Sequence, residues 1–446
     1  MTTNKDNTLS FIEGLDEQVQ SLVTQTPSWL KPLREQNLSR FSHLGIPTLK
    51  DEEWKYTNIA SIVKGKYVLA KKEDFQQKDQ LEKYIDRKEI NIVFINGIFS
   101  SELSGLKSLP AGLRIYAWHE AMRNSEIDMQ KYLSAHEINK GTAFIALNQA
   151  LASDGVVIKI GDKVIIEPLI HIVHVSSSEG QGTMTLPRTL ILAGKSSEAT
   201  VLESHVAFSD ERTYFSNAVT DIFLSENAVL HYCKAQSESQ NAFHIGATRA
   251  VQERNSNLDT FSLSVGSSIT RNNLDVIGNG EGTHTTLNGL YCINGKQLVD
   301  NHTSVDHRLP NCTSTQLYKG ILNGESHAVF NGKIFVRPVA QQTNSYQLNK
   351  NLILGTDCRV DTKPQLEIGA DDVKCTHGAT IGQLDEDEIF YLETRGISKQ
   401  QAVNMLARGF VDEIINTIGS ESIRKKLNML LEPTFAALEK TYVKKS

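Results

Sequence analysis

The sequence predicts a mainly β protein, a stacked parallel β-helix with a helical region at each end. Three observations carry this. From Val156 to about Gly382, short runs rich in Val, Ile, Thr, Leu and Phe are separated by Gly, Asn, Ser and Asp, the pattern of strands and turns. Within that stretch "EATVLESH", "NAVLHYCK", "SNLDTFSL", "TTLNGLYC" and "TQLYKGIL" recur about every 29 to 30 residues, near Thr200, Val229, Leu258, Leu287 and Leu317. No helical segment accompanies each repeat, so one repeat cannot bury its apolar face alone and must share a core with stacked neighbours. An antiparallel sandwich also shows short strands and frequent turns. The repeat favours the stack.

The chain divides into residues 1–155, helical or mixed, 156–383, the β-helix core, and 384–446, helical again. At the start Leu9, Ile12, Leu15, Val19 and Leu22 recur at helical spacing, within a helical stretch from Thr8 to about Leu44 that Ser28 to Pro32 interrupts. Trp54 and Tyr56 in "LKDEEWKYTN" read as packing against a helix, and "INIVFINGIF" as a strand. "GTAFIALNQALASDG" predicts a short helix with Phe144, Leu147 and Leu151 on one face, ended by Asp154-Gly155. After the repeats, Ser398 with Gln401 three residues on forms a capping box. The helix it opens carries an apolar stripe of Ala402, Met405, Leu406, Phe410 and Ile414, and a second helix, Glu421 to Leu431, is expected to stop before Pro433.

Composition narrows the function. The 446 residues carry a net charge of −6, with 39% apolar and 22% charged residues, which predicts a soluble chain without a nucleic-acid partner. No run approaches the roughly 18 apolar residues that cross a bilayer, and "MTTNKDNTLSFIEG" lacks a secretory core, so no membrane and a cytoplasmic location are expected. Five scattered cysteines, Cys233, Cys292, Cys312, Cys358 and Cys375, contain no CxxC pair, which points to free thiols in a reducing compartment. "GNGEGTHTT" lacks the lysine of a phosphate loop, and HExxH and GxSxG are absent, so the chain has no nucleotide site of its own and any ATP-driven step belongs to a partner.

Cys375 and His377 form the first candidate site. Residues i and i+2 of a strand face the same way, and a thiolate beside an imidazole suits iron or zinc. Two ligands do not complete a site, so spacing alone leaves a buried cysteine beside a hydrogen-bonded histidine as the alternative. His302, His307 and Cys312 lie five residues apart, without a recognised ligand spacing, and read as polar surface. Asp371-Asp372 and "LDEDE" read as solvated turns.

The segments "HAVFNGKIFVRPVAQQTNSYQLNKNLILG" and "VDTKPQLEIGADDVKCTHGATIGQLDEDEIFYLETRGIS", between His327 and Ser398, resemble the SufB/SufD family of iron–sulfur cluster assembly proteins. "DEEWKYTN" and "ALNQALASDGVVIKI" are similar to its SufD branch, so the resemblance touches all three regions. It implies a right-handed β-helix and a non-enzymatic scaffold subunit that pairs with a SufB-like paralogue and docks a SufC-like ATPase. Cys375 and His377 fall on the family's "CSHGAT"-type motif, with Thr376 for the commoner serine. The resemblance thus implies that they are ligands of a transient nascent iron–sulfur cluster shared with SufB. It also implies that Ala402, Leu406 and Phe410 contact the ATPase, the other reading of these residues being packing against the second helix. Cys358 matches no functional thiol of the family.

Two rival functions stand beside this reading. A polysaccharide-cleaving β-helix enzyme would use carboxylates such as Asp371 or Asp372, but predicts secretion, disulfides and an aromatic groove. A SufB-type main scaffold would depend on a core thiol among Cys233, Cys292 and Cys312, and Gly378, where SufB-type chains tend to carry a glutamate, argues against it. A free sheet edge would also let the isolated chain pair with itself as a homodimer.

Overall fold

The computed structural model describes residues 10–12, 22, 26–71, 75–134, 143–177, 182–209 and 212–442. Two parallel sheets face each other as a solenoid of about 7 turns. One sheet stacks Ile90–Ile95, Ile165–Ser176, Glu198–Ala207, Val229–Ser237, Asn257–Ser264, His284–Ile293, Thr313–Leu322, Thr343–Ile353 and Val373–Gly382. The other stacks Gly155–Ile160, Arg188–Ala193, Val219–Leu224, Phe243–Gln252, Ile269–Gly278, Leu298–His307, His327–Val336 and Arg359–Ile368. Register partners Glu198, Val229, Asn257, His284, Thr313, Asn344 and Lys374 lie 27 to 31 residues apart. The sequence repeat is therefore the coil length, although its alignment is one or two residues off: Leu258 pairs with Leu230 and Thr285, not with Val229 and Leu287.

One corner of the stack is a column of left-handed residues, Lys163, Ser196, Asn227 and Asn255, with φ between 54° and 60°. Each amide in this column donates to a carbonyl of the next coil. Asparagine tolerates that conformation better than most side chains, which explains the Asn-rich turns.

The interior rows grade from apolar to polar. One row runs Ala199, Leu230, Leu258, Thr285, Ser314, Ser345, Cys375, and its neighbour runs Val201, Tyr232, Thr260, Leu287, Gln316, Gln347, His377. In the early coils these residues share a core with Ile222, Ala250, Val276 and Val305 of the facing sheet. In the later coils they are hydrogen-bonded instead: the Ser314 and Ser345 hydroxyls lie 2.6 Å apart, and Gln347 donates to Gln316 at 2.6 Å. Glycines make room between rungs. Gly289 lies beside Tyr318 and Gly320 beside Tyr291, and a Cβ at either glycine would lie 2.2 or 2.0 Å from the facing ring.

Helices α1 (Leu30–Leu44) and α2 (Ala143–Leu151) lie at the start of the stack. The buried Arg34 guanidinium donates to the carbonyls of Ala150 and Ala152 at 2.7 Å each, satisfying groups that a helix end leaves without partners. Pro32 sits in the first turn of α1, where no helical amide is lost. Of the early helical pattern, Leu9, Leu15 and Val19 lie outside the described residues, while Ile12 forms a parallel bridge to Tyr67. Trp54 packs on Phe144 of α2, ring centroids 5.7 Å apart, and against the Arg271 guanidinium at 4.2 Å. The strand read in "INIVFINGIF" pairs with Ile165–Ser176 as part of the solenoid, then turns back through Asn96 and Gly97.

Helices α3 (Glu386–Thr394), α4 (Lys399–Ile415) and α5 (Glu421–Tyr442) follow the last strand. Asp385 caps α3, so the acidic run expected as a turn forms a helix start where its charges favour the exposed amides. The capping box at Ser398 and Gln401 is formed. Helices α4 and α5 cover the outer face of the first sheet, with Ala407, Val411, Ile414, Leu427 and Leu431 against Leu202, Cys233 and Phe261. α5 does not stop at Leu431. Pro433 faces solvent while Phe435 and Leu438 continue the buried stripe, and that packing outweighs one lost backbone bond.

Candidate site at the open end of the solenoid

Val373–Gly382 pairs only with Thr343–Ile353, and Arg359–Ile368 only with His327–Val336, so among the described residues both sheets end in a free edge. These last strands are half-buried to exposed along their length, whereas His327–Val336 one coil earlier is largely buried. Tyr346, Ile368 and Ile381 are large apolar side chains left in solvent at this end. An open, partly apolar sheet edge is a template for added strands.

Cys375 and His377 stand in the two interior rows of this last coil, the rows that Leu230, Leu258 and Leu287 fill earlier. They belong to the last rung of those rows, which is covered by a neighbouring rung on one side only. Cys375 is half-buried against Ile334, Val336 and Ala370, and His377 is exposed. Burial raises the Cys375 pKa, partly offset by a backbone hydrogen bond with Ser345, which favours the protonated thiol. The strand brings the two side chains to one face, and no third ligand from this chain accompanies them among the described residues.

The remaining thiols are packing groups. Cys233 and Cys292 are buried; burial pushes Cys292 up to about 12 and Cys233 higher still. Cys312 accepts from Thr283 at 3.2 Å in the interior, and Cys358 packs partly buried beside Tyr291 and Phe330. His302, His307 and Cys312 are not surface groups. His307 is buried with its Nε2 2.9 Å from Ser314 Oγ, and His302 lies 3.0 Å from Asp300 and 3.1 Å from Glu53. The polar composition that reads as surface is the hydrogen-bonded interior of the stack. Asp371 and Asp372 are exposed at the hinge, as expected of a solvated turn.

The three helical residues separate. Ala402 is 0% exposed, packed with Ile389 and Val403 beneath α3. Leu406 and Phe410 line a surface cavity of about 400 Å³ between α3, α4 and the last strands, with Ile381 and Leu384. Phe410 also lies under the Lys319 ammonium at 3.9 Å. Phe390 and Tyr391 on α3, 66% and 57% exposed, are the apolar groups the sequence reading missed, while Met405, read as part of the apolar stripe, is also exposed. Phe390 and Tyr391 sit on α3, whose short acidic sequence reads as a turn.

A second cluster also went unread: His174, Glu203 and His205, buried in the early coils. Its signal is Glu203 and His205 two apart on a strand, with His174 one coil length earlier.

A parallel solenoid with helical ends and a cysteine–histidine pair on an open last coil is the architecture these residues build. Family models for the SufBD core domain of iron–sulfur cluster assembly match residues 174–410, and for the SufBD N-terminal region residues 5–172. The chain belongs to the SufBD family of the SUF iron–sulfur cluster assembly system. It is 31% identical to the SufD protein of Escherichia coli, over 89% of this chain and 91% of that one. It is also 31% identical to a SufBD family protein of Synechocystis, over 93% and 94%, and 24% identical to SufD of Bacillus subtilis, over 92% and 94%. No helix among the described residues is long and apolar enough to cross a membrane.

Proposed function

We propose that this chain is a SufD-type, non-catalytic subunit of a cytoplasmic cluster assembly scaffold, completed at its open end by a SufB-type paralogue. The observation that carries the reading is the last coil, with two parallel edges free among the described residues and a thiol and an imidazole in the last rung of the interior rows. A paralogue of the same solenoid type would extend both sheets by main-chain hydrogen bonds, and side chains in alternate positions would give specificity. It would cover Ile368, Ile381 and Tyr346. It would also supply the ligands that Cys375 and His377 lack for holding a nascent iron–sulfur cluster at the junction. The chain paired with itself, as a homodimer, would use the same edges.

The SufC-type ATPase would dock on the apolar rim formed by Phe390, Tyr391 and Met405 around the cavity lined by Leu406 and Phe410. That rim adjoins the last strand through Ile381 and Leu384, so a movement of α3 and α4 driven by nucleotide turnover would reach the junction directly. Reconstitution with both partners under anaerobic conditions tests the reading. Cys375→Ser with His377→Ala is expected to leave the complex assembled but to abolish cluster formation. Phe390→Ser with Tyr391→Ser is expected to release the ATPase and keep the paralogue. Unchanged cluster yield in the first variant would remove the ligand role.

A further inference from the structure

Several coils away from the open end, the solenoid interior holds His174, Glu203 and His205. His174 and His205 are register partners on adjacent rungs, with rings stacked at 4.4 Å and 10° apart. Glu203, two residues before His205, shares its face. Glu203 Oε1 lies 3.1 Å from His174 Nε2 and 3.7 Å from His205 Nε2. One donor atom from each residue lies within 4.8 Å of the other two. All three residues are buried, His205 to 1% exposure.

Burying such groups costs several kcal/mol unless each finds partners. The carboxylate is well held: Tyr232 donates to Oε2 at 2.6 Å, Thr220 to Oε2 at 2.8 Å and Thr189 to Oε1 at 3.3 Å. The imidazoles are not. His205 Nε2, His174 Nδ1 and, next to them, His244 Nε2 have no hydrogen-bond partner although they are buried. His244 packs edge-on to His205 at 4.9 Å and is oriented by Glu238 at 2.7 Å, and Phe94 stacks on His174 at 4.6 Å, so the rings are fixed in place.

We infer that His174, Glu203 and His205 bind a divalent first-row transition ion inside the solenoid, through two imidazole nitrogens and one carboxylate oxygen. Donors separated by 3.1 and 3.7 Å need only small side-chain rotations to surround an ion at about 2.0 to 2.2 Å. Two nitrogens with one oxygen suit Fe(II), Co(II) or Zn(II), and disfavour Mg(II) and Ca(II), which take oxygen. The carboxylate, held by Tyr232 and Thr220, is oriented by outer groups as metal-bound carboxylates are. The site is complete within this chain and independent of any partner at the open end.

The test uses the full chain, stripped with chelator and kept anaerobic. Metal content is measured after dialysis against Fe(II), Co(II) or Mg(II), with the visible spectrum of Co(II) reporting coordination and X-ray absorption of the Fe(II) form reporting ligand type. The expected result is one tightly held Fe(II) or Co(II) per chain, none of Mg(II), and an absorption spectrum with imidazole and oxygen but no sulfur. His174→Gln with His205→Gln is expected to lose the ion, and Cys375→Ser with His377→Ala to keep it. Absence of the ion from the unmodified chain, a sulfur ligand, or loss only in the Cys375 and His377 variant would overturn the assignment. If the double glutamine variant fails to fold, the ligand spectrum of the unmodified chain still decides between these results.

Discussion

Acidification should weaken this fold well before its carboxylates titrate, and His307 shows by how much. Its ring is buried in the later coils, with Ser314 on Nε2 and Asp306 as the nearest charge. Burial lowers its pKa from the ordinary 6.5 to about 4, against a smaller opposing effect of Asp306. The folded pKa is depressed, so the unfolded chain binds the proton first. The stability due to the neutral ring is complete above the unfolded value and is lost as pH falls through 6.5 towards 4. At about pH 5 the unfolded imidazole is favoured by about 1.5 units, or about 2 kcal/mol. Depressed carboxylates such as Glu89, lowered to about 2, add little in this window because their unfolded forms titrate only below about pH 5. His231, raised by Asp259, works in the opposite sense, but the pair is half-exposed and screened. Urea denaturation followed by tryptophan fluorescence at about pH 7 and 5 provides the assay. His307→Gln should flatten the pH dependence by about 2 kcal/mol relative to the unmodified chain. An unchanged slope would mean that the ring already titrates in the folded state and that the buried interior of the later coils is wet.

Three further outcomes follow from the packing. Gly320→Ala forces a methyl against the Tyr291 ring and should cost about 1 to 3 kcal/mol, read as a lower denaturation midpoint with the m-value unchanged. Asp300 holds the buried Arg271 at 2.6 Å and accepts from Thr57, tying the Trp54 segment to the solenoid. Asp300→Ala should therefore cost about 3 to 5 kcal/mol and expose residues 48–58 as the first site of limited proteolysis. Glu413→Gln removes the carboxylate 2.6 Å from the buried Lys319 ammonium, and should destabilise by about 1 to 3 kcal/mol while Lys319→Met stays near neutral in the same melt.

The stacked fold was legible because the coil length imposes a period that survives divergence of individual residues. The register was not, because the residues that align by eye, Val229, Leu258 and Leu287, are drawn from different rows. Cys375 and His377 could be read as a pair from their spacing. What spacing could not give is that their rows turn from Leu230 and Leu258 to Ser314 and Ser345 before reaching the thiol. A polar interior has no signature in a single strand, since serine and glutamine at alternate positions read as a solvated face. The same blindness put His307 and Cys312 on the surface and hid His174, Glu203 and His205. Pro433 misled for a different reason: a local rule was outweighed by a buried stripe that continues on the other side of the helix.

The gradient along the solenoid axis gives the stack a direction in time as well as in space. Each coil is stabilised mainly by its neighbours, so order spreads outward from wherever a few coils hold together unaided. The coils around Ile172, Val201 and Leu230, where both interior rows start apolar, are the natural seed. The hydrogen-bonded coils that follow gain less from closing over one another, and the final one, wet on one side, gains least. Such a chain would reach its last rung only loosely zipped, and an incoming second solenoid would act as the final growth step of the same zipper. Assembly and the end of folding would then be one event, and Cys375 and His377 would become rigid only when both chains are present.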